Sequence, residues 1–358
     1  MEYRTFGDSE LEVSVIGFGG WPMGGSNYGL VDDRESKAAV RHAFDLGITC
    51  FDNAAVYGVG HSERVMGAAL KPIREQIVLV TKCGLAWNDE VKRVERNGTR
   101  ESVIASCERS LKDLGTDYID LLLVHWPDVY TPFEETMRAL EELRQAGKIR
   151  YAGVSNFMPE MLEECRRHLG IVANQMGYSL LERRIERDVM PWCEENGIGI
   201  MGYGSLAHGL LSGTMGAGHQ FETGDWRATG HAFGLPIFDR EKHFPANVEV
   251  QNRLRAIAER EGHTLPELAT AWVLAHEVVS TALVGFRTPA EVDEAARAAD
   301  WKLTAELYAE VAAISDEAYQ RNVADELLTP PIGNWNPWNR QPQRFGTAGL
   351  SPSDRTDD

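Results

Sequence analysis

Asp52, Tyr57, Lys82 and His125 have the side-chain types needed to move a proton at neutral pH. A free tyrosine titrates near pH ~10, too high for an efficient proton donor near pH ~7. A lysine ammonium beside it stabilises tyrosinate, and an aspartate holds that lysine charged and in place. A neighbouring histidine can hydrogen-bond and orient a carbonyl oxygen. Together the four suit hydride transfer to a carbonyl, with Tyr57 as general acid/base for the developing alkoxide. Each also has a plain structural use, as a salt bridge, a capped loop or a buried histidine. Their placement sets them apart. Asp52 follows Ile48-Thr49-Cys50-Phe51, Lys82 follows Val78-Leu79-Val80-Thr81, and His125 follows Leu121-Leu122-Leu123-Val124. Each therefore ends a run that reads as a buried strand. Tyr57 lies in the Gly-bearing loop just beyond Asp52.

Those runs belong to a longer rhythm. Strand-like stretches fall at 15–19, 48–52, 77–82, 118–125, 149–154, 171–175, 198–202 and 280–285. Helical patterns fall at 33–44, 62–70, 100–114, 133–146, 158–168, 185–196, in a pair within 247–275, and near 289–298. Alternating units with near-continuous apolar strands predict an α/β fold, a (β/α)8 TIM barrel rather than an open doubly wound sheet. In such a barrel the strand C-termini share one face, and that face carries the active site. An N-terminal β-hairpin is expected around Gly7-Asp8-Ser9. Two stretches break the rhythm. Residues 213–244 form a long loop after strand 7, and loops of that length are usually functional or mobile. Residues 329–358 hold Trp335 and Trp338 among prolines and read as a C-terminal tail. The expected division is a single barrel domain, 1–328, and a tail, 329–358. The tail either covers the barrel mouth or a neighbouring subunit, or packs elsewhere.

Composition narrows the partners. The 358 residues are 43% hydrophobic and 25% charged, enough for a packed core. A net charge of −18 argues against nucleic acid or an anionic membrane as partner. Any bound phosphate then needs local basic groups or backbone amides. The five cysteines are widely spaced and form no C-x-x-C, so neither a disulfide framework nor a metal site is expected. A reducing compartment fits. The N-terminus lacks an apolar signal core, and no run approaches the ~20 apolar residues that span a bilayer. A soluble, cytoplasmic protein acting on a small molecule is expected, with a homo-oligomer left open.

With these residues in place, the sequence resembles an aldo-keto reductase from about Arg4 to residue 315. Gly47-x-x-x-Phe51-Asp52-x-Ala54-x-x-Tyr57-Gly58 with Ser62-Glu63 resembles the family's first signature. Asp52, Tyr57, Lys82 and His125 resemble its catalytic tetrad. His125-Trp126-Pro127-Asp128 and Gly204-Ser205-Leu206 look most like the bacterial branch that includes inositol-operon reductases. The resemblance implies NAD(P)(H) bound without a Rossmann fingerprint, and no G-x-G-x-x-G opens a helix here. It implies that Ser155, Asn156 and Gln175 hold the nicotinamide carboxamide and that Tyr178 stacks on the ring. It places the pyrophosphate at Gly204, Ser205, Leu206, Gly209, Leu210 and Ser212. Trp21, Asp52, Gly285, Arg287, Glu291 and Glu294 complete the implied cofactor contacts. Trp21, Tyr57, Trp87, His125 and Trp126 are the expected substrate contacts.

Several of these residues have a second reading. Ser155-Asn156 also suits an N-cap for the helix at 158–168. Arg227 suits either a phosphate or an ion pair with Glu222 or Asp225. Thr288-x-x-Glu291 has the form of a capping box. At the adenosine end Glu291 favours NADH and Arg287 favours NADPH, so use of NADH is expected. The leading reading is an NAD(P)(H)-dependent oxidoreductase that interconverts a carbonyl (aldehyde, ketone or sugar) and an alcohol. A sugar or cyclitol dehydrogenase working oxidatively, or a cofactor-binding regulatory subunit, are the alternatives.

Overall fold

Eight parallel strands close into a barrel. They are β3 (Ile16–Gly19), β4 (Cys50–Asp52), β5 (Val78–Cys83), β8 (Ile119–Val124), β9 (Ile149–Ser155), β10 (Ala173–Gly177), β11 (Gly199–Tyr203) and β12 (Val279–Gly285), in that order around the ring. Ahead of them β1 (Tyr3–Thr5) and β2 (Glu12–Ser14) form the expected antiparallel hairpin. The helices are α1 (Asp33–Asp45), α2 (His61–Leu70), α3 (Arg100–Leu114), α4 (Phe133–Gln145), α5 (Pro159–Arg166), α6 (Val189–Glu195), α7 (His243–Arg260), α8 (Leu265–Val273), α9 (Pro289–Arg297) and α10 (Ala305–Val323). This computed structural model describes residues 1–25, 31–88, 93–222 and 224–323, with only the backbone at 87, 88 and 93. The expected tail, with Trp335 and Trp338, and the boundary at 328 lie outside the described residues.

Every expected barrel strand and its helix is present, with ends displaced by a residue to a turn. Two elements were not expected. β6 (Leu85–Asn88) pairs antiparallel with β7 (Arg93–Arg96) in the connection after β5. At four residues each, Leu85-Ala86-Trp87-Asn88 and Arg93-Val94-Glu95-Arg96, they are too short to show a readable alternation. Helix α10 buries Leu307, Val311, Ser315, Ala318 and Asn322. That stripe has helical spacing, but Ser and Asn in core positions dilute its apolar signal.

Side-chain alternation divides the core in two. Cys50, Val80, Leu121, Leu123, Ala173, Met201 and Leu283 point into the barrel and pack as one cluster with Phe6, Leu11 and Val13 of the hairpin segment. Burying a phenylalanine stabilises by roughly 1.5–3 kcal/mol, so Phe6 fastens the hairpin under the barrel. That plug closes the N-terminal end and leaves the other end for a ligand. The intervening strand residues, such as Phe18, Phe51, Leu79 and Leu122, face the helix layer.

The same alternation aims the reactive groups. Two residues above inward Cys50 stands Asp52, two above Val80 stands Lys82, and two above Leu123 stands His125. The register pairs Asp52 with Val80 and Lys82 with Leu123. Each inward group therefore sits one layer higher than the one on the strand before, which is the stagger of a closed barrel.

Candidate active site

Lys82 is 2% exposed, and its environment fixes where its protons point. Nζ lies 2.8 and 2.7 Å from the two Asp52 carboxylate oxygens and 2.7 Å from the Asn53 carbonyl. It also donates to the Tyr57 hydroxyl at 3.4 Å. The three N–H groups of an ammonium are thus shared among Asp52, Asn53 and Tyr57. Burial pushes Asp52 up and Lys82 down, while their mutual attraction opposes both shifts. Four oxygens within hydrogen-bond reach of Nζ, two of them on the Asp52 carboxylate, keep the pair charged. Gln175 adds an Nε2 donor to Asp52 Oδ1 at 2.8 Å.

His125 is 6% exposed and stands edge-on to Tyr57, with ring centroids 5.9 Å apart. Burial, and then the Lys82 charge, hold it well below the usual imidazole range. It is therefore neutral at pH ~7 and can offer one N–H. Trp21 stacks on Tyr57 at 6.0 Å. Trp126 is almost wholly buried yet forms part of the wall.

One cavity of about 390 Å³ runs from these groups along the barrel top. Near Tyr57 it is walled by Trp21, His125, Trp126, Tyr203 and Phe233. It passes Ser155, Asn156 and Gln175, follows 204–212, and ends at Arg287, Glu291 and Glu294. Ser155 Oγ donates to the Gln175 carbonyl at 2.9 Å. Asn156 Nδ2 donates to the His125 carbonyl and to Ser155 Oγ. Neither caps a helix, since α5 starts from Met158 without a side-chain cap. Three neutral donor–acceptor side chains in one wall suit an amide.

The loop after β11 turns left-handed at Gly204 and again at Ala207, His208 and Gly209. Ser205 Oγ ties it to the Gly202 and Leu283 carbonyls. Gly204, Ser205, Leu206, Gly209 and Ser212 line the cavity. The Leu210 side chain does not, because it is fully buried in the helix-layer core. Arg227 forms the expected ion pair with Asp225 and also lines the wall. It pairs with Asp225 at 2.6 and 3.0 Å and donates to the His208 carbonyl.

Three further expectations need correction or fall outside view. Tyr178 does not reach the cavity. Gln175 faces inward, so Tyr178, three residues on, points outward, where its hydroxyl bonds Glu186 and its ring packs on Trp272. Tyr203 presents the ring instead, with its hydroxyl donating to Asn156 Oδ1 at 2.9 Å. Its signal was available in the sequence, two residues after inward Met201. Glu291 does not close a capping box, for the Thr288 side chain makes no cap bond. Its carboxylate instead takes the Arg287 backbone N–H at 2.7 Å and Nη2 at 2.9 Å. Trp87 lies on β6, and its side chain is outside the described residues. His208 and Phe233 line the cavity and were not expected.

The walls fit a dinucleotide. Gly209 and Gly285 pack closely within them, since a Cβ would meet Arg227 Nη1 at 3.0 Å and Pro22 at 2.7 Å respectively. Residues 15–316 match the family model described as the aldo/keto reductase family. The chain belongs to the aldo/keto reductase family. It is 37% identical over 334 residues to the aldo-keto reductase YhdN of Bacillus subtilis, covering 92% of this chain and 98% of the relative. It is 32% identical over 308 residues to an NADH-specific methylglyoxal reductase of Escherichia coli, covering 82% and 92%. A solved glycerol dehydrogenase of Gluconobacter oxydans superposes with a TM-score of 0.79 at 33% identity, covering 91% and 97%. The protein is an NAD(P)(H)-dependent oxidoreductase that interconverts carbonyls and alcohols. No helix among the described residues is long and apolar enough to cross a membrane.

Proposed function

We propose that Tyr57 is the general acid/base and that the enzyme reduces short aldehydes and ketones with NADH or NADPH. The observation that carries this reading is the Lys82 ammonium, shared between Asp52 and the Tyr57 hydroxyl at one end of an aromatic-walled cavity. The bound cofactor supplies a hydride to the carbonyl carbon. Tyr57 gives its proton to the carbonyl oxygen, and Lys82 holds the tyrosinate that remains. Asp52 holds Lys82, and Gln175 holds Asp52. Neutral His125 donates to the same carbonyl oxygen and so orients it. Ser155, Asn156 and Gln175 would hold the carboxamide, the loop 204–212 with Arg227 the pyrophosphate, and Arg287 and Glu291 the adenosine ribose. All five cysteines are free and buried, which suits a reducing cytoplasm.

A second reading runs the chemistry backwards on a polyol or cyclitol. It draws on the Gluconobacter relative, a glycerol dehydrogenase, and on the inositol-operon resemblance of His125-Trp126-Pro127-Asp128. One screen separates the two readings: cofactor oxidation across aldehydes and ketones, against cofactor reduction across glycerol, sugars and inositols. Fast NADH oxidation by short aldehydes supports reduction. Turnover only in the oxidative arm supports the second reading, and silence in both arms overturns them together.

A further inference from the structure

Ala232, Phe233, Gly234 and Leu235 form a two-residue hairpin turn. The Ala232 N–H donates to the Leu235 carbonyl at 2.8 Å, and the Leu235 N–H returns the bond at 3.0 Å. Phe233 and Gly234, the central pair, have φ of +47° and +90°. A turn with both central residues left-handed favours Asn-Gly or Asp-Gly, because a bulky side chain is strained there. Phenylalanine is a poor choice for the turn, so its ring needs another explanation.

The ring bridges the cavity walls. Its centroid lies 6.1 Å from Trp21 and 6.2 Å from Trp126, the two tryptophans that flank Tyr57 and His125. It also lies 5.5 Å from Tyr203, 5.3 Å from His208 and 5.9 Å from Trp226. The turn is fastened from behind. Buried Arg184, paired with Glu182, donates to the Phe233 carbonyl at 3.0 Å, and the Phe238 N–H donates to the Gly230 carbonyl. A turn held at its tip and stem behaves as a fixed wall. The cavity of about 390 Å³ also includes the cofactor groove, and ligand pockets span ~300–1,000 Å³.

We propose that Phe233 is the specificity-determining residue of this site. Its ring closes the substrate end between Trp21 and Trp126 and confines the enzyme to compact carbonyl compounds of a few carbons, excluding aryl aldehydes. This rests on the carbonyl-reductase reading above. The test uses the full chain with NADH, comparing kcat/KM for propanal and 2-naphthaldehyde in wild type, Phe233→Asn and Phe233→Leu. Wild type should favour propanal. Phe233→Asn should move the ratio toward 2-naphthaldehyde by about 30-fold or more, a reasonable value for a reshaped apolar pocket. Phe233→Leu should fall between. Because Asn suits the turn, melting of Phe233→Asn should stay within about 3 °C of wild type. NADH affinity should stay within about two-fold, because the residue would touch substrate. An unmoved ratio, or a large fall in melting temperature with the ratio kept, makes Phe233 a packing residue and overturns the proposal. A wild type that turns over neither these nor any screened carbonyl strikes the carbonyl reading itself. A wild type active on propanal with an unmoved ratio in Phe233→Asn strikes only the role of Phe233.

Discussion

At the Tyr57 end of the cavity Lys82 is fully buried, and three oxygens approach its ammonium to within 2.8 Å. At the far end Arg287 is half exposed, and its partner Glu291 lies one helical turn along the same segment. Both are ion pairs of similar length, 2.7 against 2.9 Å. Their surroundings make them unequal. Water and salt screen the exposed pair, while the buried one keeps its field and has nowhere to relax. The groups around Lys82 are therefore held by strands, whereas Arg287 and Glu291 form an exposed contact that a single substitution can retune. Substitutions at the two ends should differ in size accordingly.

The largest effect should come from removing half of the buried pair. Lys82→Met leaves Asp52 as an uncompensated buried charge, a change that typically costs about 3–5 kcal/mol. Urea unfolding should register that loss, and turnover should fall as well. The double variant Asp52→Leu/Lys82→Met should recover most of the stability and none of the turnover. If Lys82→Met unfolds at the wild-type urea concentration, Asp52 is not held by Lys82.

Tyr57→Phe keeps the ring against Trp21 and removes only the hydroxyl. Losing one acid–base group typically slows turnover by ~10²–10⁴-fold. Cofactor affinity and melting temperature should stay near wild type. Turnover within a few-fold of wild type would show that another group delivers the proton.

Acid should expose the buried end next. An unfolded histidine titrates near pH ~6.5, whereas folded His125 titrates well below that. Between those values the unfolded chain carries a proton that the folded site refuses. Stability therefore falls as the pH drops below ~6.5, by about 1.4 kcal/mol per pH unit for this one group. His125→Asn should remove that increment from the slope of unfolding free energy between pH ~6 and ~5. An identical slope in wild type and variant would mean that His125 is protonated in the folded state.

What the sequence disclosed follows the same division. Asp52, Lys82 and His125 were readable because strand alternation has a period of two and each closes an apolar run. Gly204 and Gly209 were readable through the family resemblance, and both take left-handed backbone in the structure. The same parity, applied at Gln175, would have turned Tyr178 outward and picked Tyr203. The walls resisted for another reason. Phe233 occupies a turn position where phenylalanine carries no turn signal, and its ring meets partners from the segment just after β8, from β11 and from the 3-10 turn Trp21–Gly24. Such long-range contacts leave no local pattern. Glu291 matched a capping box in spacing, yet Arg287 captured its carboxylate.

The smallest effect belongs to that capture. Both oxygens of Glu291 are engaged by Arg287, one through Nη2 and one through the backbone N–H. A carboxylate there can accept from the ribose hydroxyl of NADH, and it repels the extra phosphate of NADPH. It also pairs with the Arg287 guanidinium, which would attract that phosphate. Both effects favour NADH, but an exposed pair is worth only about 0–1 kcal/mol. NADH and NADPH should therefore both serve, with NADH at least comparable. Glu291→Gln keeps the side chain's length and removes its charge, which frees Arg287. The ratio of kcat/KM should shift toward NADPH by several-fold, on the order of 1 kcal/mol. Adding salt to about 0.5 M should shrink the difference between variant and wild type, as it would for any exposed pair. A wild type that prefers NADPH by more than about a hundredfold, ~2.7 kcal/mol, would place control of the cofactor in a group other than Glu291.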